Sequence, residues 1–218
     1  MKIKKKLIII GSGGNADVIS STINDINQIY DQIEILGYLD DVKTKKEDKN
    51  ILGKINKKNI DKFKKFRDIK FIWTLRSTNL REKATAKFYD LDIPNNKLLT
   101  IKHPTAVVSK YSRVGKGTSI HPFVNIGPGV IIKNNVHIFS NSLIGHNSQL
   151  NNFSYVANNS SIGAFVKIKE GGYVGMNSSI KERVIVGKWS TVGMGAVVVK
   201  NVKNYITVVG NPAVELRK

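Results

Sequence analysis

Few side chains in the second half of this sequence could do acid–base or covalent chemistry. The chain has no cysteine, so thiolate nucleophiles and thiolate metal sites are excluded. No aspartate follows Asp92, and the remaining acids are Glu170, Glu182 and Glu215. Chemistry in this half is therefore not expected to rest on a carboxylate pair. The candidates that remain after residue 108 are the imidazoles of His121, His137 and His146.

A second candidate site begins at Gly11, directly after the apolar run Lys6–Ile10. Gly11, Gly13 and Ala16 match the G-x-G-x-x-G/A spacing, and a helical apolar pattern continues to Ile29. The first glycine of such a motif allows a tight turn, and the second lets a phosphate approach the backbone at a helix N-terminus. The alternative is a strand-to-helix turn that binds nothing.

The next predicted strand, Glu34–Leu39, ends at Asp40 and Asp41. A doubly wound sheet places groups for a ribose or base at this point; the alternative is a solvated turn. Further patterns predict elements at Ile51–Ile55, Lys57–Phe66, Ile69–Leu75, Arg76–Tyr89 and Lys97–Ile101. Together they amount to one mononucleotide-binding half of a Rossmann-like fold, which is too small to hold a whole dinucleotide in the usual way.

The element that must position the histidines is a repeat of six residues. A branched aliphatic residue occupies every sixth position from Val108 to Val198, sixteen times without a break. This period fits neither an α-helix nor a strand that turns back in a hairpin, but it fits three short strands per turn of a parallel β-helix. The aliphatic residues are predicted to point to the axis, with small or β-branched residues beside them.

Glycine and asparagine recur beside the aliphatic positions and predict the corners of this helix, because both tolerate positive φ. The glycines that directly follow an aliphatic are Gly115, Gly127, Gly145, Gly163, Gly175, Gly187 and Gly193. The asparagines three residues after one are Asn135, Asn141, Asn147, Asn159 and Asn177. Since a single axial row buries little surface for so long a chain, the outer faces must also pack, which suggests an oligomer.

The formal net charge is +19 at pH 7. Either lysine simply fills solvated positions, or the charge attracts polyphosphate ligands such as coenzyme A or a nucleotide-sugar. No nucleic-acid recognition module is evident around Lys43–Lys70. The absence of cysteine favours a reducing cytoplasm, and Leu7–Ile10 is too short for a signal-peptide core. No stretch is long enough for a membrane span.

The repeat resembles the isoleucine-patch hexapeptide repeat of left-handed parallel β-helix acyltransferases. The whole chain is similar to bacterial nucleotide-sugar acetyltransferases that act on amino sugars such as the bacillosamine precursor, viosamine and perosamine, with sialic-acid O-acetyltransferases as a sister branch. The segments that carry the resemblance are Ile9–Ile19, Gly37–Asp41, His103–Pro104, the repeat and Val209–Ala213. It implies a Rossmann-like nucleotide-sugar domain over 1–102, a left-handed β-helix over 103–218, and a homotrimer with active sites between prisms.

For the first domain, the resemblance implies that a nucleotide-sugar is bound by the glycine turn and the acidic pair. The residues at those positions are Gly13, Gly14, Asn15, Asp40 and Asp41. The sequence departs from the family at Asn15, where many members have histidine, and at Arg76, where glycine is expected.

In the β-helix, the resemblance implies that His146 is the general base. It would take the proton from a sugar amine as the nitrogen attacks the thioester of acetyl-CoA. The family usually has Asp or Glu at the next position, where this chain has Asn147. An amide oxygen can accept an imidazole N–H but cannot stabilise the imidazolium with charge, so a weaker base is expected. The alternative is a corner histidine that only packs.

The resemblance also places coenzyme A along the groove between prisms. The implied contacts are Tyr155, Gly175, Met176, Gly193, Met194, Asn211 and Pro212. Tyr155 stands where some members have a second histidine near the thioester. Alternatively, Tyr155 packs against a neighbouring subunit, the glycines serve only as corners, and the terminal motif is a chain-end turn.

The sequence thus predicts an acetyl-CoA-dependent N-acetyltransferase acting on a nucleotide-linked 4-amino-4,6-dideoxy sugar, cytoplasmic, with no metal and no nucleic-acid partner. One alternative is O-acetylation of a sialic acid or another sugar hydroxyl. Another is a non-catalytic nucleotide-binding scaffold. Asn147 favours this alternative because the family usually has Asp or Glu at that position. Zinc chemistry of the γ-carbonic anhydrase type is disfavoured because the three histidines lack the close pair that it needs.

Overall fold

The computed structural model describes residues 4–42, 49–75 and 80–216, so Arg76 lies outside the described residues. The chain divides into two compact units between Ile101 and Lys102. Each unit has its own hydrophobic core. Within the described residues, no helix combines the length and hydropathy that a bilayer crossing requires.

The first unit is a parallel sheet of four strands with helical connections, in the order β3-β2-β1-β4. The strands are β1 Lys5–Ile10, β2 Ile33–Leu39, β3 Ile51–Gly53 and β4 Ile69–Trp73. The helices are α1 Gly14–Tyr30, α2 Lys57–Lys64 and α3 Arg81–Asp90, followed by a 3₁₀ turn at Asn95–Lys97. This order is that of one half of a doubly wound sheet, so the predicted Rossmann-like arrangement is confirmed.

Burial explains why β1 is central in this sheet. Its last four residues, Leu7–Ile10, are fully buried, as expected of a parallel strand covered on both sides. Helix α1 buries Ala16, Ile19, Ile23 and Ile26, whose spacing of three and four residues forms one stripe. The carboxyl ends of β1 and β2 therefore bring the glycine turn and Asp40 to the same edge.

The predicted strand Lys97–Ile101 is wrong. Hydrogen bonds of the 3₁₀ turn, from Lys97 N to the Pro94 carbonyl (2.8 Å) and from Leu98 N to the Asn95 carbonyl (3.1 Å), use backbone donors that a strand would need. Leu98 keeps only an isolated parallel bridge to Phe71.

The second unit is a prism with three faces of short parallel strands, visited in turn by the chain. The first face contains Ile101–Lys102, Ser119–Ile120, His137–Ile138, Tyr155–Val156, Tyr173–Val174, Thr191–Val192, Thr207–Val209 and the antiparallel Val214–Glu215. The second contains Val107–Val108, Asn125–Ile126, Leu143–Ile144, Ser161–Ile162, Ser179–Ile180 and Val197–Val198. The third contains Arg113–Val114, Ile131–Ile132, Gln149–Leu150, Lys167–Ile168 and Ile185–Val186.

Register in the prism follows the repeat without a slip. From Ile101–Lys102 to Val197–Val198, each strand pairs with the strand eighteen residues later, as His137 pairs with Tyr155; at the end of the prism the step shortens to sixteen residues, from Thr191 to Thr207 and from Val186 to Val202. Each repeat aliphatic is the second residue of its strand, and those from Ile120 to Val198 are at most 3% exposed. Val108 and Val114, at one end of the column, are only partly buried. The predicted fold class, a Rossmann-like domain followed by a parallel β-helix, is confirmed.

The small residues that lie beside the axial aliphatic residues form a second row, which also links successive coils. The hydroxyl of Ser142 donates to the Ala157 carbonyl (2.8 Å), and that of Ser148 donates to the Gly163 carbonyl (2.9 Å). These serines are 1% exposed, and a buried hydroxyl without a partner is costly. The second row therefore adds polar cross-links to a core that the axial row makes apolar.

The corners differ from the prediction in one respect. The asparagines three after an aliphatic do have positive φ, as at Asn147 (56°). The glycines that directly follow an aliphatic do not have positive φ. The prediction that they supply positive φ at the corners is therefore wrong. A Cβ at Gly145 would lie 2.6 Å from Ala164 N and from the Gly163 carbonyl carbon. These glycines are required by the close stacking of coils.

Two adjacent isoleucines provide a matched test of the axial core. Ile132 is 2% exposed and points to the axis, whereas Ile131 is 37% exposed on the outer side of the same strand. We expect Ile132→Ala to lower the free energy of unfolding by about 2–5 kcal/mol, because it leaves a cavity. Ile131→Ala should cost much less. Urea denaturation of both variants measures the difference, and equal losses would contradict the assigned orientation.

Candidate active site

His146 lies at the corner between the second and third faces, two residues after the strand Leu143–Ile144. His146 and Asn147 are both exposed. The corner is held by backbone bonds on either side, from Asn147 N to the Pro128 carbonyl (2.9 Å) and from Phe165 N to the His146 carbonyl (3.0 Å). The imidazole is thus presented outward from a rigid edge, where it can meet a ligand.

The contact between His146 and Asn147 decides which ring nitrogen could act as a base. The amide nitrogen of Asn147 lies 3.1 Å from Nδ1 of His146. An amide N–H donates, so Nδ1 accepts and the ring proton is on Nε2. The expectation from the sequence was the opposite arrangement, in which the amide oxygen accepts a proton from Nδ1. Rotation of the amide by half a turn interconverts the two and frees Nε2 to accept a proton.

A column of side chains at this corner supports His146. Phe165, one coil after Asn147, meets the imidazole edge-on with ring centroids 5.1 Å apart. The guanidinium of Arg183, another coil further, lies 4.6 Å from the Phe165 ring centroid. On the other side of Asn147, a Cβ at Gly129 would lie 2.2 Å from its Oδ1, so a larger residue there would displace the Asn147 amide. Steps of eighteen residues along the repeat identify these neighbours, which the sequence analysis missed.

The predicted coenzyme residues Gly175, Met176, Gly193 and Met194 lie at a different corner, between the first and second faces. Met176 and Met194 are 43% and 71% exposed, each two residues after a strand of the first face. Gly175 is close-packed, since a Cβ there would lie 2.7 Å from the Val192 carbonyl oxygen. Within one chain, this methionine corner and the His146 corner are separated by the second face.

The terminal motif lies at the end of the same corner. Asn211 and Pro212 are joined by a cis peptide bond and are exposed. The flanking residues bind the last coil, since Val197 N donates to the Gly210 carbonyl (2.9 Å) and Ala213 N donates to the Val197 carbonyl (2.8 Å). The motif therefore covers the end of the prism beside the methionine corner.

Tyr155 lies on the first face, away from both corners. Its ring is stacked between Phe139 (centroids 4.7 Å apart) and Tyr173 (4.9 Å). Both of its ring faces are occupied, so only its edge and hydroxyl could meet a ligand.

The other two histidines of the repeat form a buried cluster on the first face. Oγ of Ser119 lies 2.7 Å from Nδ1 of His137 and 3.1 Å from Nε2 of His121. His121 stacks on Phe139 with centroids 4.5 Å apart. Burial lowers the pKa of His121 to about 4, and His103 nearby adds to the effect. These imidazoles are packed inside the fold and cannot meet a substrate.

In the first unit, Asp40 braces the glycine turn. Its Oδ2 accepts hydrogen bonds from Ser12 N (2.8 Å) and Ser12 Oγ (2.7 Å), and its Oδ1 accepts one from Val42 N (3.0 Å). Gly13 and Gly14 are exposed, with no atom within 4 Å of where a Cβ would be. The turn is therefore open to a ligand through its backbone, whereas the Asp40 carboxylate is engaged within the fold.

Asp41 also has protein partners. Its Oδ1 accepts from Ile55 N (2.9 Å), and Lys87 forms an ion pair with its Oδ2. Asn15, whose amide donates to the Thr74 carbonyl (3.4 Å), links the turn to the end of β4. The glycine turn, Asn15 and Asp40 thus lie together at the carboxyl edge of the sheet.

Lys49 is a residue of this edge that sequence reasoning missed, because nothing in its spacing marks it. Its side chain is 6% exposed, its ammonium donates to the Ser12 carbonyl (2.8 Å), and it pairs with Asp17 in the first turn of α1. It also lies 5.3 Å from the Tyr38 ring centroid. The charge of Lys49 offsets that of the Asp17 carboxylate, which would otherwise disfavour binding of an anion at the glycine turn.

Metal binding has no evident site in the part of the chain that the structure describes. No group of three or more His, Cys, Asp or Glu side chains there is arranged to hold an ion.

Sequence comparison identifies a known family for each part of the chain. Residues 98–207 match the GMPPB C-terminal domain, and residues 6–88 match the PglD N-terminal domain. A search of curated protein sequences finds no significant match.

Solved structures share the fold over nearly the whole chain. The acetyltransferase domain of PglB from Neisseria gonorrhoeae FA1090, in complex with acetyl coenzyme A, is 22% identical with a TM-score of 0.81, covering 98% of this chain and 100% of that one. WeeI from Acinetobacter baumannii AYE is 21% identical with a TM-score of 0.78 over 96% and 99%. PerB from Caulobacter crescentus, in complex with CoA and GDP-perosamine, is 21% identical with a TM-score of 0.66 over 97% and 97%. The predicted resemblance to hexapeptide-repeat sugar acetyltransferases is confirmed.

The buried cluster generates a prediction about acid stability. The lowered pKa of His121, about 4, means that between about pH 6.5 and pH 4 the unfolded chain binds a proton at this residue while the folded protein does not. Stability from this group is therefore present above about pH 6.5 and is lost as the pH falls towards 4, by up to about 3 kcal/mol. His121→Gln should remove this part of the loss.

The measurement is the free energy of unfolding in urea, taken near pH 7 and near pH 4.5 for both proteins. The wild type should lose more stability than His121→Gln between the two pH values. An identical loss in both proteins would show that His121 is not held neutral by burial.

Proposed function

The chain belongs to the GMPPB C-terminal domain family through residues 98–207, and from this premise we propose that it is a sugar N-acetyltransferase. The donor is acetyl-CoA, and the acceptor is the amino group of a nucleotide-linked 4-amino-4,6-dideoxy sugar. The proposal rests chiefly on one observation: the exposed imidazole of His146, oriented by Asn147, stands on the edge of a β-helix. In support, that fold is shared over the full chain with PglB and PerB, whose structures contain acetyl coenzyme A and CoA with GDP-perosamine.

The proposed reaction is a direct transfer without an acyl-enzyme. The sugar nitrogen attacks the thioester carbonyl carbon, and Nε2 of His146 takes a proton from that nitrogen. The tetrahedral intermediate then collapses with cleavage of the C–S bond, and the coenzyme A thiolate takes up a proton as it leaves. A general base at a rigid corner suffices for this route, which agrees with a chain that has no cysteine.

Asn147 controls the base in this mechanism. Nε2 can accept a proton only when Nδ1 carries one, and this requires the Asn147 oxygen to face Nδ1. The amide nitrogen can also bind Nδ1, as it does here at 3.1 Å, and that arrangement places the proton on Nε2. An aspartate at this position could only accept, so it would hold the active tautomer and also stabilise the imidazolium.

The glycine turn of the first unit is the proposed site for the nucleotide diphosphate. Gly13 and Gly14 are exposed at the N-terminus of α1 with open space where a Cβ would be, a place where backbone N–H groups can bind an anion, and Asn15 lies beside them. Asp40 and Asp41 were predicted to contact the nucleotide directly. The hydrogen bonds from Ser12 to Asp40 support a narrower role for Asp40, which holds the turn in its conformation, whereas Asp41 accepts from Ile55 N and pairs with Lys87.

We propose that the active enzyme is a homotrimer. His146 and the predicted coenzyme contacts, Met176 and Met194, lie on different corners of one prism. A second copy could bring its methionine corner against the His146 corner of the first. Exposed apolar side chains at these corners, including Phe165 at 42% and Met194 at 71%, support burial in such a contact. The setting proposed is glycan biosynthesis in the cytoplasm.

Release of the coenzyme A thiol with a panel of acceptors tests this function. UDP-, dTDP- and GDP-linked 4-amino sugars are compared with sialic acid, which offers only hydroxyl acceptors. Turnover of an amino sugar is the expected result. Turnover of sialic acid alone would favour O-acetylation, and binding of nucleotide without turnover of any acceptor would favour a scaffold.

His146→Ala should lower the rate of acetyl transfer by about 10²–10⁴-fold, because the general base is lost. Binding of acetyl-CoA, followed by calorimetry, should change little. Glu182→Ala is the matched control, since Glu182 is exposed at the same corner two coils further on. Equal rates for His146→Ala and the wild type would reject the assignment of the base.

Asn147→Asp should raise the transfer rate and shift the acidic limb of the pH–rate profile to higher pH. The carboxylate can only accept from Nδ1–H, so Nε2 is always free to take a proton, and the adjacent charge makes the imidazole more basic. The profile is measured with the best acceptor of the panel. A variant without any gain at any pH would contradict this role of Asn147.

A further inference from the structure

Among the outward strand positions of the prism, cations are concentrated on one face. Five of them flank the axial residues of the third face and its continuation at Val202, which bridges to Val186. We call the third face with these cations the basic face; they are Arg113, Lys133, Lys167, Lys169 and Lys203. The same outward positions of the second face hold one cation in the described chain, Lys181. Lysine spread evenly over solvated positions would not produce this asymmetry.

The acids near the basic face lie at its corners. Glu170, directly after Lys169, forms an ion pair with Lys188 at 3.6 Å. The outward positions flanking the axial residues of the third face carry no acid in residues 80–216. The outward positions of the basic face therefore carry positive or uncharged side chains.

Two open hollows lie on the basic face. One, of about 520 Å³, is lined by three lysines, Lys133, Lys169 and Lys188, by the asparagines beside them, and by Glu170, whose carboxylate pairs with Lys188. The other, of about 370 Å³, is lined by Lys169, Ile185, Lys203 and Asn204 among others. Each combines ammonium groups with side-chain amides, which is the chemistry that binds a phosphate diester.

The shape and apolar content of the face narrow the choice of partner. Its strands pair in register without a bulge, and Ile131 and Ile185 remain 37% and 36% exposed among the cations. Its outward positions in the described chain carry no aromatic residue on which bases could stack. A face that mixes lysines with exposed aliphatic side chains suits the polar boundary of a bilayer.

We propose that the basic face docks the protein on a membrane rich in anionic phospholipids, with phosphodiester headgroups seated in the two hollows. Lysines at a membrane surface act additively, each worth about fivefold in affinity near an anionic leaflet. Ile131 and Ile185 then contact the boundary between headgroups and acyl chains. This inference uses only the prism surface and does not depend on the acceptor of the proposed reaction.

The test is sedimentation of the full chain with vesicles, either pure phosphatidylcholine or phosphatidylcholine with about 30% phosphatidylglycerol, near 0.1 M salt. Binding is expected only with phosphatidylglycerol. Lys133→Gln, Lys167→Gln and Lys169→Gln combined should weaken it by about 100-fold. The matched control combines Lys54→Gln, Lys58→Gln and Lys65→Gln, which remove three exposed charges from the first unit and should leave binding within about threefold.

Several outcomes would overturn the proposal. Equal binding to both vesicle types would do so, as would equal losses in the two triple variants, since net charge alone would then explain the attraction. Displacement from vesicles by millimolar coenzyme A would assign the face to the coenzyme. Tighter binding to duplex DNA than to vesicles would assign it to nucleic acid. Circular dichroism of both triple variants verifies that they remain folded.

Discussion

The stacking of each coil on the next is the constraint on which the second unit depends. Backbone N–H groups of one coil donate to carbonyls of the next at close to 2.9 Å along all three faces, while the repeat aliphatics form an unbroken apolar column beneath. An inserted residue would turn every later side chain to the wrong face. Register is therefore fixed throughout the prism, and with it the position of every corner side chain.

The candidate catalytic side chains of the prism lie at one of its corners. A residue with positive φ at each corner helps to turn the chain from one face to the next, and His146 and Asn147 meet solvent there while their backbones remain hydrogen-bonded to adjacent coils. Side chains eighteen residues apart lie over one another, and this brings Phe165 and Arg183 into the His146 column. The geometry of this corner needs no mobile loop.

The two units differ in how their charges are arranged. In the first, cations are balanced near the glycine turn, where Lys49 pairs with Asp17 and Lys87 with Asp41, so that an anion meets mainly backbone dipoles. In the second, the outward strand positions of the third face carry cations and, among the described residues, no acid, while Glu170 lies at the corner; the fields of these cations add over distances of about a Debye length. The first arrangement suits one bound ligand, whereas the second suits an extended anionic surface.

The sequence by itself determined the architecture. A six-residue aliphatic period fits a parallel β-helix, and a glycine turn after a buried strand fits the strand–turn–helix start of a Rossmann-like domain. It also placed His146 at a corner. Only the tertiary structure decided that Asn147 donates to Nδ1, that Asp40 is engaged by Ser12, that Tyr155 is enclosed between two rings, and that Lys49 reaches the glycine turn. The periodicity of the sequence predicts whether a side chain points to the axis of the prism or outward. Its partners depend on contacts between residues far apart in the chain, and no local pattern encodes them.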